Sequence, residues 1–163
     1  MSAAMKTHPF PDQTNNYLAE HIDLLAWSYL QLLGEPLLAN QKQGISLAEQ
    51  LFSAPFVLLS HNTSVDPFFN YANKTALNLF EIDWQELIRT PSRLSAEAIN
   101  RKQRELLLAQ VTEFYFIKNY SGIRISQTGK RFKINNAVVW NLIDSEGSNH
   151  GQAACFSDWR FLD

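Results

Sequence analysis

From residue 17 onward apolar side chains return every three or four positions, at Leu18, Ile22, Leu25, Tyr29, Leu32 and Leu33, which is the spacing of one face of an α-helix. Asn16 stands where it can cap the start, and Gly34 with Pro36 supplies the stop. A second apolar set, Leu24, Trp27 and Leu30, lies between Glu20, Asp23 and Gln31. A helix with two apolar faces buries one and leaves the other to be covered. The cover here is either the loop 37–44 folding back or a second copy of the chain. Residues 1–16 contain Pro9 and Pro11 and no regular apolar interval, so they read as a flexible tail.

Further along, the elements shorten. Ser46-Leu47-Ala48-Glu49 has the form of a capping box and opens a short helix that stops at Phe52, before Pro55. Two apolar runs, 56–60 and 68–72, flank turn-forming residues and predict a hairpin. Asn73 leads a helix over 74–80, and Asp83 caps another through Ile88. Thr90-Pro91 then breaks the chain. Ser95 is placed to cap a longer helix over 96–114, with Leu106, Leu107, Val111 and Phe114 on its buried side. The last third changes to period 2: Ile123 and Ile125, then Phe132, Ile134, Val138, Trp140 and Leu142, are expected to point inward. Gln127-Thr128-Gly129-Lys130 and Asp144-Ser145-Glu146-Gly147 are the turns of an antiparallel meander. The expected fold is α+β, a five-stranded antiparallel sheet with short helices on one face, preceded by an N-terminal helix. Its parts are a tail (1–16), a helical segment (17–52) and the sheet domain (53–163), all in one globular unit.

Composition narrows the function. At 163 residues the chain can bury roughly 70% of the surface its unfolded form exposes, and needs no disulfide or metal. A net charge of -2 gives no reason to seek nucleic acid or an anionic membrane. The single cysteine, Cys155, cannot form an internal disulfide, and no secretory leader pattern opens the chain, so a cytoplasmic location is expected. No run approaches the roughly 18 apolar residues of a membrane span.

Two strands, several short helices and three strands is the arrangement of a PAS domain, and the resemblance becomes specific at Phe69-Asn70-Tyr71-Ala72-Asn73-Lys74-Thr75-Ala76-Leu77. The run from Tyr71 to Glu97, with Thr90-Pro91-Ser92-Arg93-Leu94-Ser95-Ala96-Glu97, and the run from Phe116 to Asn141, with Asn119-Tyr120-Ser121-Gly122-Ile123-Arg124-Ile125-Ser126, resemble the MEKHLA domain family. The name-giving Met-Glu-Lys-His-Leu-Ala string is absent. The resemblance implies a PAS-like fold, known both in stand-alone microbial proteins and at the C-terminus of plant homeodomain leucine-zipper factors, where it is implicated in regulating dimerisation. With no homeodomain or zipper heptads visible here, the expectation is a stand-alone sensory or regulatory module, not an enzyme. It would bind a small ligand or a protein partner and signal through dimerisation. A pure homodimerisation module without ligand is the alternative.

The pocket candidates under this reading are Phe69, Tyr71, Leu79, Phe80, Phe132, Ile134, Trp140 and Phe156, with Arg93 and Asn136 to orient a polar end. Leu24, Trp27 and Leu30 are the dimer-interface candidates. The cofactor is left unknown. Ser92 stands where light-sensing PAS domains carry a reactive cysteine, which disfavours a flavin adduct, and the helices from Lys74 to Glu97 offer no histidine to haem. His61 and His150 read as loop histidines, and Arg101, Lys102 and Arg104 as a solvated helix face. Gln152 is a weaker ligand candidate. Phe114, Tyr115, Phe116 and Tyr120 read as core at a helix-to-strand junction. A small cone-fold enzyme using Asp66, Asp83 or Asp158 as a buried base is the competing class.

Overall fold

The computed structural model describes residues 7–162. Its elements are α1 (Ala19–Leu33), α2 (Leu47–Phe52), β1 (Val57–His61), β2 (Phe69–Ala72), α3 (Lys74–Phe80), α4 (Trp84–Leu87), α5 (Ala98–Phe114), β3 (Phe116–Ile125), β4 (Arg131–Ile143), β5 (Asn149–Phe156) and β6 (Asp158–Phe161). The strands form one antiparallel sheet in the order β2-β1-β5-β4-β3. A sixth strand, not anticipated, pairs with the first part of β4 (Phe132 to Asn135), while β5 pairs with the second part (Val138 to Ile143).

The sheet is covered on both sides. On its front, Leu107 and Val111 of α5 pack on Val139, and Phe80 of α3 stacks edge-on against Phe132 at 5.2 Å. On its back lies α1: Trp140 donates from Nε1 to the Leu25 carbonyl at 3.3 Å and meets the Tyr29 ring edge-on at 4.9 Å. Ser28 on the same helix accepts from the Ile143 amide and donates to its carbonyl, both at 2.9 Å.

Two bulges decide which side chain reaches which face. In β2, Tyr71 pairs with Ser60 but Phe69 with His61, so Asn70 is an extra residue. Phe69 therefore faces the front and Tyr71 the back, although they are two positions apart. In β4, Asn136 sits in the left-handed region (φ 55) between the two pairing partners. Ile134, Ala137 and Val139 then face front, while Val138, Trp140 and Leu142 face α1. The expected single parity from Phe132 to Leu142 is corrected by that one residue. Arg124 and Ser126, expected outward on β3, are likewise buried.

Side-chain caps set the short helices. Asn73 accepts from the amides of Ala76 (3.0 Å) and Leu58 (3.2 Å), and donates to the carbonyls of Leu51 (3.0 Å) and Phe56 (2.8 Å). One buried amide thus joins α2, β1 and α3. Ser46 and Asp83 cap as predicted. Ser95 does not: its hydroxyl donates to the Ser92 carbonyl inside a 3-10 turn (Ser92–Ser95), and α5 starts after Glu97. Leu106 and Phe114 are exposed, and the buried stripe of α5 is Arg104, Leu107 and Val111.

The N-terminal expectation also changes. Residues 7–16 pack on the domain: Pro11 is buried, Phe10 lies edge-on to Phe52 at 5.5 Å, and the Trp84 indole donates to the His8 carbonyl at 3.0 Å. The first part of the predicted tail lies outside the described residues. Asp12 caps a 3-10 turn (Gln13–Leu18), and Asn16, Tyr17 and Leu18 form a left-handed step into α1, which has no side-chain cap.

Candidate functional site

The front face is not filled. A compartment of about 60 Å³ lies between α5 and the sheet, walled by Leu59, His61, Arg104, Leu107, Tyr120, Arg124, Val139, Gln152 and Phe156. A second space, of about 270 Å³, continues it toward α4 and is mainly apolar, with Ala72, Ile82, Leu87 and Leu94 in its wall and Glu86 and Thr90 also lining it. Leu59, Phe69, Phe80 and Ser95 border both.

Charge is concentrated in the inner compartment. Arg104 (7% exposed) donates from Nη2 to Ser92 Oγ at 2.7 Å. Arg124 (8% exposed) donates to the Ile123 carbonyl at 2.9 Å and to the Tyr120 hydroxyl at 3.2 Å. Neither meets a carboxylate among the described residues. Burial, then the charge of Arg124, pulls Arg104 down to about 10, so Arg104 stays cationic at neutral pH. A buried ion without a counter-charge is costly. Gly122 keeps this arrangement open, because a Cβ there would run into the Tyr120 ring that reaches toward Arg124.

His61 is the third polar group. Its Nδ1 lies 3.0 Å from the Asn62 carbonyl, which makes Nδ1 the protonated nitrogen and leaves Nε2 as an acceptor. That Nε2 is buried and meets no partner at good hydrogen-bond geometry among the described residues, although the Gln152 side chain is near enough to act on the ring. Burial holds the ring neutral, its pKa lowered to about 4. Gly151 of β5 allows this position, because any Cβ there would collide with the His61 carbonyl. Gln152 and Asn141 are already committed. Gln152 donates to Asn141 Oδ1 (3.1 Å), Thr112 Oγ1 (3.2 Å) and the Leu108 carbonyl (3.3 Å), and Asn141 to the Val111 carbonyl (3.0 Å), which ties α5 to the sheet.

Of the predicted pocket residues, Phe69, Phe80, Ile134 and Phe156 line the cavity. Leu79 and Phe132 are packed core beside it. Tyr71 is on the back, 5.8 Å from the His21 ring, and Trp140 packs on α1. Arg93 is half-exposed and pairs with Asp66 at 3.2 Å, and Asn136 is exposed, so neither orients a ligand. Trp27 (40% exposed) and Leu30 (45%) do form an outer stripe on α1, with Leu24 half-buried, and loop 37–44 leaves that stripe open. Asp66, Asp83 and Asp158 are all exposed.

The sequence profile of the MEKHLA domain matches residues 19–161. The chain belongs to the MEKHLA domain family. Among curated relatives, "Homeobox-leucine zipper protein ATHB-14" of Arabidopsis thaliana is 25% identical over 153 residues, which cover 88% of this chain and 18% of that protein. The chain thus spans less than a fifth of that relative. Solved structures share the fold at low identity. The PAS domain of a protein from Colwellia psychrerythraea aligns with TM-score 0.60 and 10% identity, over 71% of this chain and 92% of that one. A light-oxygen-voltage domain studied with a flavin analogue aligns with TM-score 0.57 and 15% identity, over 74% and 87%.

In this MEKHLA domain the residues do not fit a flavin adduct. Ser92, the position expected from the resemblance to carry a reactive cysteine, accepts a hydrogen bond from Arg104, and Cys155 lies on the back face with its thiol pushed up to about 12 by burial. No described helix is long and apolar enough to cross a membrane. Sequence reasoning missed the three residues that matter most. His61 ends β1 instead of opening a loop, Arg104 is buried where a solvated helix face was expected, and Arg124 is buried although it alternates with the strand residues Ile123 and Ile125 that were expected inward. One signal was present for Arg104: it is three and seven residues from Leu107 and Val111, on the apolar stripe of α5. Phe114 and Tyr115, read as core, are exposed.

Proposed function

We propose that this MEKHLA domain is a sensory or regulatory module that takes up a small molecule in the front cavity and passes its occupancy to α1. There it meets a second copy of the chain or a protein partner. The observation that carries the reading is the buried Nε2 of His61, unpartnered in a compartment that also holds two arginines without counter-charge. Closed cores leave few such groups unsatisfied. The route to α1 is short, because Val139 lines the cavity while its neighbour Trp140 bonds the α1 backbone. A ligand that shifts β4 therefore moves both.

Native mass spectrometry of the protein purified from cells tests this. Extra mass of one small molecule per chain, lost on denaturation, is the expected result; a bare chain that also binds nothing added would sink it. The exposed Trp27 and Leu30 favour α1 as the contact surface. Replacing both with glutamate should give a folded monomer, and a dimer surviving that change would place the contact elsewhere.

A further inference from the structure

The geometry points to an amphipathic carboxylate as the ligand, with its anionic head between Arg104 and Arg124, a hydroxyl or N–H beside that head donating to His61 Nε2, and its apolar body in the outer space. This rests on the cavity reading above and adds the chemistry of the occupant.

Each part has its own observation. The two guanidiniums line one compartment, and the bonds they make go to neutral oxygens: a serine hydroxyl, a tyrosine hydroxyl and a backbone carbonyl. A carboxylate placed there would form charge-assisted bonds with two guanidiniums that are largely shielded from bulk solvent. His61 can only accept at Nε2, so the ligand must bring a proton donor to it. The inner compartment of about 60 Å³ holds a head of a few heavy atoms and no more, since one water needs roughly 10–15 Å³ on the same measure. The outer space of about 270 Å³ is walled by Phe69, Phe80, Ile82, Leu87 and Leu94, which suits a hydrocarbon or an aromatic ring. A metal does not compete for the site, because no cluster of His, Cys, Asp or Glu suited to one exists among the described residues.

Calorimetric titration of the whole chain with four probes tests the inference: 2-hydroxyoctanoate, octanoate, methyl octanoate and octyl phosphate. The hydroxy acid should bind one per chain, roughly 2- to 10-fold tighter than octanoate for one added hydrogen bond. Methyl octanoate should bind at least about tenfold more weakly than the acid, the loss of a charged hydrogen bond. Arg104→Gln, which keeps a donor for Ser92, and Arg124→Met should each weaken the acid by about 10- to 100-fold while the ester is unaffected. His61→Phe should erase the difference between the hydroxy acid and octanoate. Arg93→Met, outside the cavity, serves as the control and should change nothing. If the ester binds as tightly as the acid, the anionic head is wrong while the cavity reading stands. Octyl phosphate binding more than tenfold tighter than the carboxylates would replace this inference with a phosphate ligand. If none of the probes binds, the inference fails, and mass co-purifying in native spectra would show the cavity reading surviving without it.

Discussion

The two faces of the sheet solve opposite problems. On the back, the polar groups that α1 buries find partners, Ser28 on Ile143, His21 Nε2 on Ser60 Oγ at 2.9 Å and the Leu25 carbonyl on the Trp140 indole, while the Tyr71 hydroxyl is buried there without a partner among the described residues. Trp140, Ile22 and Leu25 are fully buried there. On the front, two arginines lack a counter-charge and a histidine nitrogen has no partner among the described residues, and space remains between α5 and the strands. The back face is closed by α1, and the front face brings buried charge and open space together. Natural folds concentrate such violations where they bind.

The sharpest way to break this contrast uses two neighbours on β4. Trp140→Ala, on the back, should cost about 3–5 kcal/mol in urea unfolding. Val139→Ala, on the cavity wall, should cost only about 1 kcal/mol, since the space beside it is already open. Similar losses from both would mean that the front is packed as tightly as the back. Next comes acid. His21 on the back and His61 on the front are both held neutral by burial, their pKa values lowered from 6.5 to about 3 and about 4. The unfolded chain takes up these protons near pH 6.5 while the native one cannot. Stability should therefore be whole above pH 6.5 and fall, by a few kcal/mol, as the pH drops toward 4. Urea midpoints that stay level between pH 7 and 5 would contradict the burial of both rings.

The bulge at Asn136 gives a smaller effect. Asn136→Ala removes the short polar side chain that makes asparagine tolerant of the left-handed region and should cost about 1 kcal/mol, while Asn136→Gly, with no β-carbon to strain there, should stay close to wild type. Equal effects would show that the bulge does not depend on this backbone. Smallest of all, Arg93→Ala should change stability by less than about 1 kcal/mol, because its pair with Asp66 is half-exposed. A loss well beyond that would give Arg93 a role the geometry does not.

The elements of this fold were legible because caps, breaks and periods are local. Asn73, Ser46 and Asp83 each cap the helix that the sequence marks, and the two meander turns fall where glycine requires them. The site was legible only in its apolar half, at Phe69, Phe80, Ile134 and Phe156. Its polar half depends on strand parity, and parity was inverted by single extra residues, Asn70 in β2 and Asn136 in β4, that nothing in the hydrophobic pattern signals. A one-residue slip moves every later side chain to the other face. That is why Tyr71 and Trp140 were assigned to the pocket. The step at 16–18 failed for a related reason: three consecutive left-handed residues are uncommon enough that Asn16 read as an ordinary cap.

Whether the front cavity is where a ligand goes is answered most directly by an amide-resolved NMR titration with 2-hydroxyoctanoate. The expected result is saturable shifts at Arg104, Arg124, Val139 and Gln152, followed by the Trp140 indole N–H as the change reaches α1. Shifts confined to the exposed stripe around Trp27 and Leu30, with those front-face signals unmoved, would contradict it.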